Sequence, residues 1–191
     1  MYFPRRLSAT LLLAAVCWPL PVADRVTAET PASDTVRLFF ASMTKLCGQR
    51  FDGATEFPAN ADHPLVGKKL VISVGPCAEN EIRIPLQAGE DRSRTWILTL
   101  NERGLLLKHD HRHADGSPDK ITMYGGWSMP DGSAIRQRFA ADPETAALLP
   151  EAATNIWTIE IDEAKAQFVY ALERNGQPRY RAVFDLKQLA K

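Results

Sequence analysis

The stretch Asp91–His113, DRSRTWILTLNERGLLLKHDHRH, decides how this chain folds. In its first half Trp96, Leu98 and Leu100 alternate with Ile97 and Thr99; in its second, Leu105, Leu107, His109, His111 and His113 occupy every other position. Residues two apart on a strand share a face, and Asn101-Glu102-Arg103-Gly104 between the halves is a turn signal. The spacing predicts a hairpin. With Leu100 opposite Leu105, Leu98 faces Leu107, Trp96 faces His109 and Arg94 faces His111. A turn one residue shorter would send every side chain to the other face. In the predicted register the imidazole row continues an apolar surface, so at least His109 is expected to look inward.

The same period of two runs through most of the chain. Leu70, Ile72 and Val74 alternate with Val71 and Ser73, and Ile82, Ile84 and Leu86 with Glu81, Arg83 and Pro85. Trp157, Ile159 and Ile161 share a face, as do Phe168, Tyr170 and Leu172, and then Tyr180, Ala182, Phe184 and Leu186. Residues 49–57, 121–127 and 134–139 complete the set. Ala114-Asp115-Gly116, Pro130-Asp131-Gly132 and Asn175-Gly176 separate several of these runs as turns.

Only two segments read as helix. Val36, Phe39, Phe40, Met43 and Leu46 fall at helical spacing, with Ser33 or Asp34 as N-cap and Gly48 near the stop. A short helix near 142–149 has Asp142 as cap, Pro143 at its first position, Glu144 at its positive end and Pro150 beyond. Many short strands joined by hairpins point to a mainly β fold. We expect an antiparallel meander closed into a barrel of about eight to ten strands, since closure removes exposed edges. A two-sheet sandwich is the alternative. A barrel of this size holds packed side chains or one small ligand.

Composition supports a single domain. The 191 residues are 45% hydrophobic and carry 23 basic and 23 acidic side chains. That balance offers no basic field for phosphate contacts, which argues against nucleic acid as a partner. Arg5 and Arg6, the apolar run from Leu11 to Trp18, and the small residues around Val26-Thr27-Ala28 have the pattern of a secretory signal peptide. The expected division is a signal peptide over 1–28 and a single β-barrel domain over 29–191. The protein is then exported, periplasmic or secreted, and slightly acidic once Arg5, Arg6, Arg25 and Asp24 are removed. No stretch has the roughly 18 apolar residues a membrane-spanning helix needs. Cys17 leaves with the signal, and Cys47 and Cys77 then form a disulfide in an oxidising compartment. Two free buried thiols are the alternative.

Lys108-His109-Asp110-His111-Arg112-His113 carries the densest chemistry. Histidines at i and i+2 on a strand are close enough to meet one metal. His109 and His111, with His113 as a third ligand, could hold a metal or a haem. A second reading is acid–base work by His109 or His111 with Asp110 orienting the ring, which calls for a cavity imidazole with a displaced pKa. A third is a polar patch with histidines bonded to neighbouring Asp and Arg. On the partner strand, Arg92 and Arg94 either form an external charge ladder or line a cationic barrel mouth suited to a carboxylate or phosphate. Tyr124 precedes Gly125 and Gly126, a pair that suggests a strand bulge or a place where a ligand approaches the backbone. His63, ahead of Pro64 in a loop, reads as solvent-exposed. The recurring aromatics Trp96, Trp157, Phe168, Tyr170, Tyr180 and Phe184 read as core rather than as a stacking platform. The chain has no Gly-x-Ser-x-Gly elbow, no phosphate-cradling glycine loop and no dinucleotide fingerprint.

Leu46-Cys47-Gly48, Glu81–Pro85, Asp91–Trp96, Leu107–His113 and Met123-Tyr124-Gly125-Gly126 together resemble a group of small secreted bacterial proteins of unassigned function. The resemblance covers most of residues 29–191 and implies an exported single domain, with no catalytic residues to carry over. The strand count also resembles the calycin-type barrels (lipocalins, fatty-acid-binding proteins and nitrobindin-like haem binders) in architecture, although Phe51 stands where lipocalins open with Gly-x-Trp. These readings converge on an exported barrel that binds a small molecule in a cavity lined by Arg92, Arg94, Trp96, His109, His111 and Tyr124. A metal- or haem-binding protein and an enzyme with a histidine base are the alternatives.

Overall fold

In a computed structural model the chain is described over residues 33–58 and 63–189, with side chains through Lys187. The signal-peptide segment lies outside those residues. Helix α1 (Asp34–Thr44) is followed by strands β1 (Arg50–Phe57), β2 (Leu70–Ser73), β3 (Glu81–Ala88), β4 (Asp91–Asn101), β5 (Gly104–His111), β6 (Tyr124–Ser128) and β7 (Arg136–Ala141). Helix α2 (Pro143–Leu148), a 3-10 turn (Pro150–Ala152), β8 (Asn155–Asp162), β9 (Gln167–Arg174) and β10 (Gln177–Leu189) complete the chain. Every strand pairs antiparallel with its sequence neighbour, and β1 pairs with β10, so the ten strands close into a barrel. The barrel, not the sandwich, is the fold.

The central hairpin has the expected register: Leu100 pairs with Leu105, Leu98 with Leu107, Trp96 with His109 and Arg94 with His111. Alternation then sorts the side chains. Leu98, Leu105, Leu107, Phe139, Phe168 and Phe184 are fully buried in the barrel core. Two strand expectations shift: β6 begins at Tyr124, with Ile121 in the preceding loop and much of its side chain exposed, and β7 runs Arg136–Ala141 in place of 134–139. Gly125 and Gly126 explain how β6 fits its neighbours. A Cβ on Gly125 would come within 1.9 Å of the Leu107 carbonyl oxygen, and one on Gly126 within 1.6 Å of that of Ala140. The glycine pair therefore serves close strand approach, not contact between a ligand and the backbone.

The two ends of the barrel differ. At the end where β4 turns into β5, α1 inserts Val36, Phe39, Phe40 and Met43 into the core. Ser33 caps the helix by accepting from the Val36 amide. Cys47, just past the helix, is joined by a disulfide to Cys77 in the β2–β3 connection, with the Cα atoms 6.3 Å apart. The Gly48 amide also donates to the Val74 carbonyl, so the plug is tied to the wall by both backbone and covalent bonds.

At the opposite end, α2 and the 3-10 turn fold over the rim. Asp142 caps α2 by accepting from the Thr145 amide and also takes the Lys108 ammonium at 2.5 Å. The Thr145 hydroxyl is bonded to both the amide and the carbonyl of Gly125. These anchors hold the cap against β5 and β6, and with it Leu149, Glu151 and Ala152 at the mouth. No helix among the described residues is long and apolar enough to cross a membrane.

Candidate functional site

The capped end holds a cavity of about 300 Å³. Its floor is aromatic, formed by Trp96, His109, Trp157 and Tyr170, all nearly fully buried. Its rim is mixed: Pro64 and Glu151 are exposed, while Arg94, His111 and Arg174 are half-buried. The cavity therefore runs from solvent inward to a wall of rings. Trp96 and Tyr170 stack with centroids 4.1 Å apart and planes 13° from parallel, and His109 stacks on Tyr124 at 4.7 Å.

Hydrogen bonds fix the buried imidazole. His109 Nδ1 lies 3.1 Å from the Tyr124 carbonyl oxygen, which can only accept, so Nδ1 carries the hydrogen. Nε2 is then the acceptor for the Tyr170 hydroxyl at 2.7 Å. Burial, which disfavours the charged ring, pushes His109 down to about 3, against a raising contribution from the bond to the Tyr124 backbone. Burial also drives the Tyr170 phenol well above its ordinary range. The pair is neutral at any physiological pH.

Higher on the wall, His111 Nε2 and the Tyr124 hydroxyl lie 3.1 Å apart. Burial, then the Arg94 guanidinium, lowers the His111 pKa, with Asp119, Asp110 and Asp91 pulling the other way. Tyr124 is pushed up to about 12 by burial, with Arg94 opposing. Arg94 is held by Asp91. Burial alone would raise the Asp91 pKa, but hydrogen bonds from Ser93 and Arg94 outweigh it and keep the carboxylate ionised.

Several residues sit where the sequence did not place them. Arg92 is exposed and off the cavity wall, because β4 has there passed the rim. His113 is likewise exposed, two residues beyond the end of β5. Asp110 is on the outer face, accepting from Arg112 Nε at 3.1 Å and from the Thr122 hydroxyl, so it orients no imidazole. His63 is not a free loop residue. It is half-buried, stacks on Tyr180 with centroids 4.5 Å apart, and lines the cavity. Leu65 draws this loop inward, and burial followed by Arg94 lowers the His63 pKa.

Four more wall residues were not singled out as cavity lining in the sequence: Trp157, Tyr170 and Tyr180 read as core, to which they do belong, and Arg174 carried no signal. Phe168 and Phe184 have the same periodicity and also belong to the core, but they do not line the cavity; height along the barrel axis separates the two groups. Among the described residues, no group of three or more His, Cys, Asp or Glu side chains is placed to hold a metal ion. His109 also has both nitrogens engaged, so an iron or zinc would have to displace Tyr170 or the Tyr124 carbonyl. For acid–base work the ring's pKa is displaced, but in the direction that makes imidazole a poor base. A scan against protein-family models finds no match for the chain, and a search among curated proteins finds none.

Proposed function

We propose that this protein binds a small, flat, largely apolar molecule in the aromatic cavity, without transforming it. The observation that carries this reading is the cavity itself: about 300 Å³ walled by rings and reached from a polar rim. That volume is at the small end of ligand pockets, and an apolar lining with a few placed polar groups is what such pockets share. It suits a one- or two-ring compound, which would gain from displacing water off Trp96, Trp157 and Tyr170. The fixed His109–Tyr170 pair contributes shape and one oxygen that can still accept a hydrogen bond. We further propose that binding takes place outside the cytoplasm. The signal-like segment over 1–28 supports this, as does the Cys47–Cys77 disulfide, a bond that persists in oxidising compartments.

Tryptophan fluorescence tests the binding reading. Trp96 and Trp157 face the cavity, whereas Trp127 lies outside it beneath the Arg103 guanidinium at 4.4 Å. Titration with 2-naphthol is expected to quench the wild type saturably, and Trp127→Phe to retain that saturable quench. The double change Trp96→Phe and Trp157→Phe is expected to lose most of it. Saturable quenching that vanishes with Trp127 instead would place binding on the outer surface and refute the cavity reading.

A further inference from the structure

Resting on that binding reading, we propose that the cavity selects ligands with a carboxylate at one end, which Arg94 engages at the rim while the ring body lies on the aromatic floor. Four features of the wall lead there. Arg94 lines the cavity, whereas Asp91, the carboxylate that steadies it, does not. A ligand therefore meets the guanidinium and not its counter-ion. Among the described residues the one side-chain hydrogen bond Arg94 makes is to Asp91, through Nη1, leaving further N–H donors in a planar fork that matches a carboxylate.

Arg174 adds to the same bias. It lines the cavity with its Nε on the Asn155 side-chain oxygen at 2.8 Å, which orients the head group and leaves the terminal nitrogens without another partner among the described residues. Against these two cations the wall offers one carboxylate, the exposed Glu151. The remaining polar side chains of the wall are phenols, imidazoles and the Asn155 amide. Burial, then the field of Arg94, lowers the pKa of both His63 and His111 and so disfavours the charged form of each ring. The rim is thus rich in donors, the floor is apolar, and the two meet within one small space. An arene that ends in a carboxylate has the matching polarity along its length.

The matched pair 2-naphthoate and 2-naphthamide separates this inference from the reading beneath it. The two have nearly one shape and differ in charge. By isothermal titration at pH 7, the wild-type protein is expected to bind the naphthoate roughly tenfold or more tightly than the amide, the scale of one charge-assisted bidentate contact. Arg94→Gln is expected to bring that ratio close to one. Arg92→Gln, a change to an exposed cation on the same strand but off the wall, is expected to keep the wild-type ratio. Equal affinity of the wild type for both compounds would overturn carboxylate selection while leaving the cavity as a binding site. A preference that survives Arg94→Gln would overturn the role of Arg94. Failure of both compounds to bind would overturn the binding reading and this inference with it. Thermal melting of Arg94→Gln near the wild-type temperature checks that the fold is intact.

Discussion

Urea unfolding is expected to show the protein losing roughly 3 kcal/mol of stability between pH 7 and pH 4 through His109 alone. The imidazole is 3% exposed, and burial pushes its pKa down to about 3 in the folded chain against an ordinary 6.5. The sign follows from proton counting. Below pH 6.5 the unfolded chain takes up a proton that the folded chain refuses until about pH 3, so acid favours unfolding throughout that window. His63 and His111, also lowered, add in the same direction. His109→Gln removes the titrating ring, and its stability profile is expected to be flatter than that of the wild type from pH 6.5 to pH 4. Parallel profiles would mean that the ring is not held neutral in the folded protein.

The second large effect concerns the plugged end. Replacing Cys47 and Cys77 by Ala is expected to cost about 3 kcal/mol, which lowers the melting temperature by roughly 10 °C in a domain of this size. The bridge fixes the chain leaving α1 to the β2–β3 connection, and α1 carries Phe39 and Met43 into the core. Without it the unfolded chain regains the freedom of the closed loop, and the plug is left with its apolar contacts and backbone bonds such as Gly48 to Val74. Calorimetry of the double variant beside the oxidised wild type measures the difference. A loss below about 1 kcal/mol would show that packing alone holds α1 in place.

The fold was legible because alternation and turn chemistry are local. Leu98, Leu100, Leu105 and Leu107 around Asn101–Gly104 define both the hairpin and its register, and the Asp142-Pro143 cap announces α2. The site was legible where that register reached it, at Arg94, Trp96, His109 and His111, and at Tyr124 ahead of its glycine pair. Period two reveals the face a side chain occupies, not its height along the barrel axis. Phe168 and Tyr170 share a face of β9 and both belong to the core, yet only Tyr170 reaches the cavity floor. Height depends on how ten strands stagger around the closure and on which end α1 fills, and both are set by distant contacts. For the same reason Arg92 and His113 resemble Arg94 and His111 in sequence but lie past the rim. His63 was missed for a different reason: its place is fixed by stacking on Tyr180, more than a hundred residues away, and no local pattern encodes that contact.

The most direct test of a ligand seated on the aromatic floor is a set of intermolecular nuclear Overhauser effects between bound 2-naphthoate and the protein. Cross-peaks from the naphthalene protons to the ring protons of Trp157 and Tyr170 are the expected result. Cross-peaks to Trp127 or to the exposed side chains of Ile121 and Met123, with none to the floor, would contradict it.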